Sequence, residues 1–139
     1  MKTRHFFVPV LDVSEVLPFC IKHQKELSES LKEHERAIRE LEKFVDKLEK
    51  NYKEKIWYMG MDVIMGRTYE RFIFDRGGFF EIMIEAPIAM NAHFVHEAQA
   101  KKFREALVKT LRQSMAKSDL TEMFVNSIQI GNEEEENLS

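Results

Sequence analysis

Between about residue 17 and Lys53, apolar side chains recur at alternating spacings of three and four. Cys20, Leu27, Leu31, His34, Ile38, Leu41, Val45, Leu48 and Tyr52 follow this series, and only the Gln24 slot is plainly polar. Such a series is a heptad seam, narrower than the stripe of an ordinary surface helix, and it predicts a helix able to form a coiled coil. Glu35 with Arg39, Asp46 with Lys50 and Glu49 with Lys53 stand on its outer faces, each acid four residues before its base. A continuous helix of this length would span roughly 57 Å, more than the diameter of a domain this size. It therefore either projects to meet a partner or breaks. Ser30-Leu31-Lys32-Glu33 matches a capping box and puts the candidate break near residue 29. Leu27, Leu31, His34, Ile38, Leu41, Val45, Leu48 and Tyr52 form the candidate homodimer interface, with His34 as a polar seam position that can fix register.

On either side the period changes. TRHFFVPVLD, residues 3–12, reads as a strand in which Pro9 is tolerable only at an edge or a bulge. Asp12 and Ser14 then offer caps for the long helix, with Pro18 in its first turn. Across 55–86, the runs KIWYMGMDVIM, TYERFIF and FFEIMIE are separated by Gly66-Arg67 and by Asp75-Arg76-Gly77-Gly78. Runs of this length between glycine-containing turns predict a three-stranded antiparallel meander, which Pro87 ends. Residues 91–117 return to helical spacing, with Asn91 as a cap. Val95, Gln99, Ala100, Phe103, Ala106, Leu107, Thr110, Leu111 and Ser114 line one side, and Lys101, Lys102, Glu105, Lys109 and Arg112 the other. MFVNSIQI reads as a short last strand, and the acidic stretch after it as a disordered tail.

The expected architecture is an α+β two-layer domain over residues 1–131, followed by the tail 132–139. An antiparallel sheet of three to five strands is packed by the long helix and by a second helix. A chain of 139 residues is large enough to bury a core without staples. With 44% hydrophobic and 32% charged residues it has the composition of a small soluble protein, and 11 Phe and 8 Met supply bulky, adaptable contact surface. No window approaches the roughly 18 apolar residues of a membrane span, and the start MKTRHFFVPVLDV is too short for a signal peptide, so no membrane partner is expected.

Net charge is −3, but four of the 24 acids are Glu133 to Glu136. Without them, 21 basic side chains meet 20 acidic ones, so the body is neutral rather than a basic nucleic-acid binder. Cys20 is the single cysteine, which excludes an intrachain disulfide and a multi-cysteine zinc site and fits a cytoplasmic location.

Candidate chemistry is sparse. His93 and His96, with Glu97 beside them, are the weak candidates for a metal site or a metal-dependent enzyme. No HExxH pattern accompanies them, and the helical series places His96 seven residues before Phe103, on the packed side. Cys20 sits on the apolar seam without a visible base. Asp62, Glu70, Glu81 and Glu85 alternate along strands, as charges on a wet sheet face do. Arg67, Arg71 and Arg76 could line one anion-binding rim in the meander, although pairing of Arg71 with Glu81 or Glu85 is the commoner arrangement. Lys101, Lys102, Lys109 and Arg112 could meet phosphates from the second helix.

The sequence therefore points to a non-enzymatic protein-interaction module of adaptor or inhibitor type, homodimeric through helix 17–53, with no cofactor. The alternative is a nucleic-acid- or nucleotide-binding module built on the basic helix face and the meander arginines.

Overall fold

A computed structural model describes residues 2–11, 27–83, 89–115 and 117–136, without the side chains of residues 2, 3, 11, 27–31, 33, 34, 64, 67, 89, 135 and 136. Along the chain run β1 (Lys2–Leu11), α1 (Leu27–Tyr52), β2 (Ile56–Ile64), β3 (Arg67–Phe74), β4 (Phe79–Met83), β5 (Ala89–Phe94), α2 (Glu97–Ser114), α3 (Asp119–Ser127) and β6 (Gly131–Glu136). The strands form one antiparallel sheet in the order β2-β3-β4-β5-β1-β6. Cys20, His23, Gln24 and the start signals Asp12, Ser14 and Pro18 lie outside the described residues, as do the side chains of Leu27, Leu31 and His34.

The α+β class holds, but the sheet is larger than the three to five strands expected, because two unexpected strands are added while one expected strand is a helix. Residues 89–94, of which 91–94 were expected to open the second helix, form β5, and α2 starts only at Glu97. Met90, Ala92 and Phe94 alternate inward there and are buried, a period-two pattern that Ala and Asn disguise as helical. MFVNSIQI is not a strand. Ser118 caps α3 instead, its hydroxyl accepting from the Thr121 N–H at 3.1 Å, and Asp119 and Glu122 complement the first turn. Finally, Gly131–Glu136 pairs with β1 where a disordered tail was expected. Charge matching favours that pairing: Arg4 reaches Glu134 at 3.8 Å and donates to Asn132 Oδ1 at 2.8 Å.

Pro9 sits as its chemistry requires. β6 begins at Gly131 opposite Phe7, so among the described residues Pro9 has a neighbouring strand on one side only, where it stands across from Asn91.

Alternation along the strands sends Val8, Val10, Phe72, Phe74, Phe80, Ile82, Met90, Ala92 and Phe94 to one face, where all are buried. The helices cover that face. Leu41, Leu48 and Tyr52 of α1, Phe103, Leu107 and Leu111 of α2, and Val125 of α3 join the same core. Phe103 lies 5.9 Å from Tyr52, 5.3 Å from Phe74, 6.1 Å from Phe80 and 5.5 Å from Phe94, ring centre to ring centre. One side chain thus ties both long helices to three strands.

The β3–β4 turn lets that cluster close. Gly78 has φ +93°, and a Cβ there would fall 2.5 Å from the Phe94 ring. That ring belongs to the core and cannot yield. Gly66, at φ +76° in the β2–β3 turn, has open space around it. Gly66→Ala should therefore cost only the left-handed penalty of about 1 kcal/mol, and Gly78→Ala should cost about 2–4 kcal/mol because it adds overlap. Urea unfolding of the two variants side by side checks the difference.

Candidate functional site

Large apolar side chains are exposed mainly in one place. Trp57, Tyr58, Met59, Met61 and Val63 of β2, Met65 in the following turn and Ile73 of β3 are all exposed, Met65 by 98%. β2 is an edge of the sheet, so among the described residues its outer row of backbone N–H and C=O groups has no strand beside it. The opposite edge, β6, reads GNEEEE. Charge along an edge prevents it from templating another chain, and β6 carries four glutamates where β2 carries the single acid Asp62, paired with Arg71. The tip of β2–β3 is unusual as well. Met65 adopts φ +52° beside Gly66 at +76°, a two-residue turn with both residues left-handed, where Asn or Asp is the usual first residue.

A bulge interrupts β2. Tyr58 pairs with Phe72, but Gly60 pairs with Arg71, so Met59 is the extra residue and Gly60 takes φ +93°. A glycine inside KIWYMGMDVIM was the available signal.

On the sheet face opposite the helices, Arg71 lies 3.6 Å from Asp62 and 3.5 Å from Glu81, with its guanidinium 5.7 Å from the centre of the Phe79 ring. Both carboxylates are committed to it, and the expected pairing of Arg71 with Glu81 is present. Arg67, whose side chain is outside those described, opens β3, and Arg76 lies in the turn beyond its other end, so the strand's length of roughly 25 Å separates the two backbone positions. At the turn, the Arg76 backbone N–H donates to Glu54, and its carbonyl accepts from Gln99 at 2.9 Å. Glu70 departs from the wet-face reading: it is 3% exposed, on the helix-covered face.

His93 is on β5 rather than on a helix. Its ring stacks on Phe79 at 4.5 Å and meets the edge of Phe7 at 5.1 Å. His96, expected on the packed side, is exposed at the N-cap of α2 and makes no side-chain cap. The strand break between them separates the two histidines, and among the described residues no group of three or more His, Cys, Asp or Glu could hold a metal. Burial lowers the His93 pKa, and His5 and Arg71 add to this while Glu81 opposes it.

The basic face of α2 is largely neutralised. Lys101 pairs with Glu97 at 3.4 Å, Lys102 with Glu54 at 3.4 Å while lying 4.2 Å above the Tyr52 ring, and Arg112 with Glu122 at 3.0 Å. Arg104 Nε donates to the Ile128 carbonyl at 2.6 Å. Among the described residues Lys109 has no ion-pair partner.

Of the seam residues, Leu41, Val45, Leu48 and Tyr52 are buried in the chain's own core, and Ile38 is half-buried against it. The spacing of three and four was a packing face for α2 and the sheet along this half of the helix.

No family model matches the chain, and no curated protein or solved structure matches it. Among the described residues no helix is long and apolar enough to cross a membrane.

The His93 shift has a defined sign. Its folded pKa lies below the ordinary 6.5, so the unfolded chain takes up the proton first as pH falls. The stability it contributes is complete above about pH 6.5 and declines below that value toward the folded pKa. The urea midpoint of the wild type should fall between pH 7.5 and 5.5, and His93→Phe, which keeps an aromatic ring between Phe7 and Phe79, should fall less.

Proposed function

We propose that this chain is a non-enzymatic protein-binding module that works as a homodimer, with the apolar edge β2 as the contact. The supporting observation is the asymmetry of the sheet: β6 carries glutamates along its length, while β2 exposes Met59, Met61, Val63 and the turn residue Met65. A second copy offers the same unpaired backbone row. Two such strands can pair antiparallel about a two-fold axis, so that assembly stops at two. The exposed apolar side chains of 57–65 and Ile73 contribute on the order of 100 Å² each and together approach the ~800 Å² per partner of a standard interface.

The seam of α1 contributes less to this reading than its sequence suggested, because its second half already packs within the chain. The nucleic-acid alternative loses support because Lys101, Lys102, Arg112 and Arg71 each have an acidic partner.

Light scattering at tens of micromolar should find a dimer. Met61→Lys places a charge in the middle of the edge and should give a monomer, no less stable at low concentration than the wild type because the lysine lies across from Glu70. A wild type that stays monomeric at that concentration, or a Met61→Lys protein that stays dimeric, sinks the edge pairing.

A further inference from the structure

Between the middle of α1 and strands β2 and β3 lies a cavity of about 250 Å³. Ile38, Val45, Ile56 and Phe72 give it apolar walls. Glu42 and Asp46 of α1 stand at its rim, both exposed, and neither has an ion-pair partner among the described residues. Glu70 lines it from β3 and is 3% exposed.

Glu70 is the unusual element. Across the sheet it faces Met61 on one side and Ile82 on the other, so its neighbours in the sheet are apolar. Its described hydrogen bond comes from the Tyr58 hydroxyl to Oε2. That phenol is held protonated: desolvation, the bond to Glu70 and the Glu70 charge push its pKa up to about 12. Tyr58 is thus a neutral donor to one oxygen, and among the described residues no cation balances the buried carboxylate. A carboxylate has about four acceptor positions, and removing it from water is costly unless donors or a cation compensate. The cavity is the side from which further donors can reach it.

We infer that this cavity is a binding site for a small molecule bearing a primary ammonium group on an apolar stem. The ammonium donates to Glu70, with Glu42 and Asp46 adding negative potential at the entrance. The stem replaces water against Ile38, Val45 and Phe72. An anion is rejected by three carboxylates, and a fully apolar ligand leaves Glu70 uncompensated. This site does not rest on the β2 edge pairing. It requires only the packing of α1 over β2 and β3, so either can fail without the other.

The test titrates hexylammonium, hexanol and hexanoate into isotopically labelled full-length protein at pH 7, following amide shifts by NMR. Light scattering on the same samples records the oligomeric state separately. Hexylammonium should shift the amides of Val45, Ile56 and Phe72 and bind at least about tenfold more tightly than hexanol, with no binding by hexanoate. Glu70→Gln keeps the shape of the side chain and should weaken the amine about tenfold. Asp46→Asn, on the exposed face of α1, should weaken it about two- to threefold, and this variant carries the test if Glu70→Gln does not fold. Equal affinity for amine and alcohol, shifts centred away from the cavity, no shifts at millimolar amine, or an affinity unchanged in both variants overturns the assignment.

Discussion

The contact of Phe103 with Tyr52, Phe74, Phe80 and Phe94 is the joint on which the arrangement depends. It gathers the C-terminal end of α1, the middle of α2 and the turn-proximal ends of β3, β4 and β5 at one end of the sheet. Aromatic rings bury large areas and tolerate several mutual angles, so one ring can satisfy four neighbours on separate elements. Close approach at that end is possible because Gly78 has no Cβ to meet Phe94. Both long helices are therefore anchored where the β3–β4 turn lies. Farther along α1 the contact with the sheet is looser, and the cavity between Ile38, Val45 and Phe72 lies there.

The same anchoring explains why β2 is the apolar edge. Ile56, level with Phe74 and Tyr52, is buried, whereas Met61 and Val63, farther from the joint, are exposed even though the pairing puts them on the helix-covered face. Along the helix-covered face of this strand, exposure rises with distance from the aromatic joint. At the other edge, the register of β1 and β6 sets Arg4 and His5 across from Glu134 and Glu133, and Arg4 pairs with Glu134 at 3.8 Å. Exposed pairs of this kind contribute little stability, but they leave an acidic border that resists further strand addition.

Much of the fold was legible in the sequence, and the failures share a cause. The meander read correctly because its β-branched and aromatic runs are punctuated by glycine turns. The second helix read correctly from Phe103 onward because Phe103, Ala106, Leu107, Thr110 and Leu111 keep helical spacing. β5 was lost because AMNAHF contains two alanines and an asparagine, so neither propensity nor side-chain bulk marks it as a strand, and only its pairing with β1 and β4 makes it one. β6 was lost for the same kind of reason, since GNEEEE is a strand only beside the basic start of β1. The heptad series was read correctly as an apolar helix face. What it packs against could not be read, because a seam facing a partner and a seam facing the chain's own sheet have the same spacing.

The bulge at Met59 and Gly60 ties the exposed edge to the buried carboxylate. Alternation along β2 without it would carry Tyr58, Gly60 and Asp62 to the helix-covered face, with Gly60 across from Glu70 and Asp62 across from Thr68, diagonal to Glu70. Two carboxylates would then share a poorly solvated surface, with like charges opposing each other's ionisation. The extra residue reverses the faces from Gly60 onward, as a one-residue slip must. Asp62 moves to the opposite face, where Arg71 lies 3.6 Å away, and Met61 takes the place across from Glu70. Glycine suits that position because it carries φ +93° without strain. One inserted residue thus leaves Glu70 as the single acid of the β2–β3 pair on the helix-covered face. It also turns Met61 and Val63 toward the uncovered end of that face, so the apolar edge and the isolated carboxylate follow from the same local irregularity.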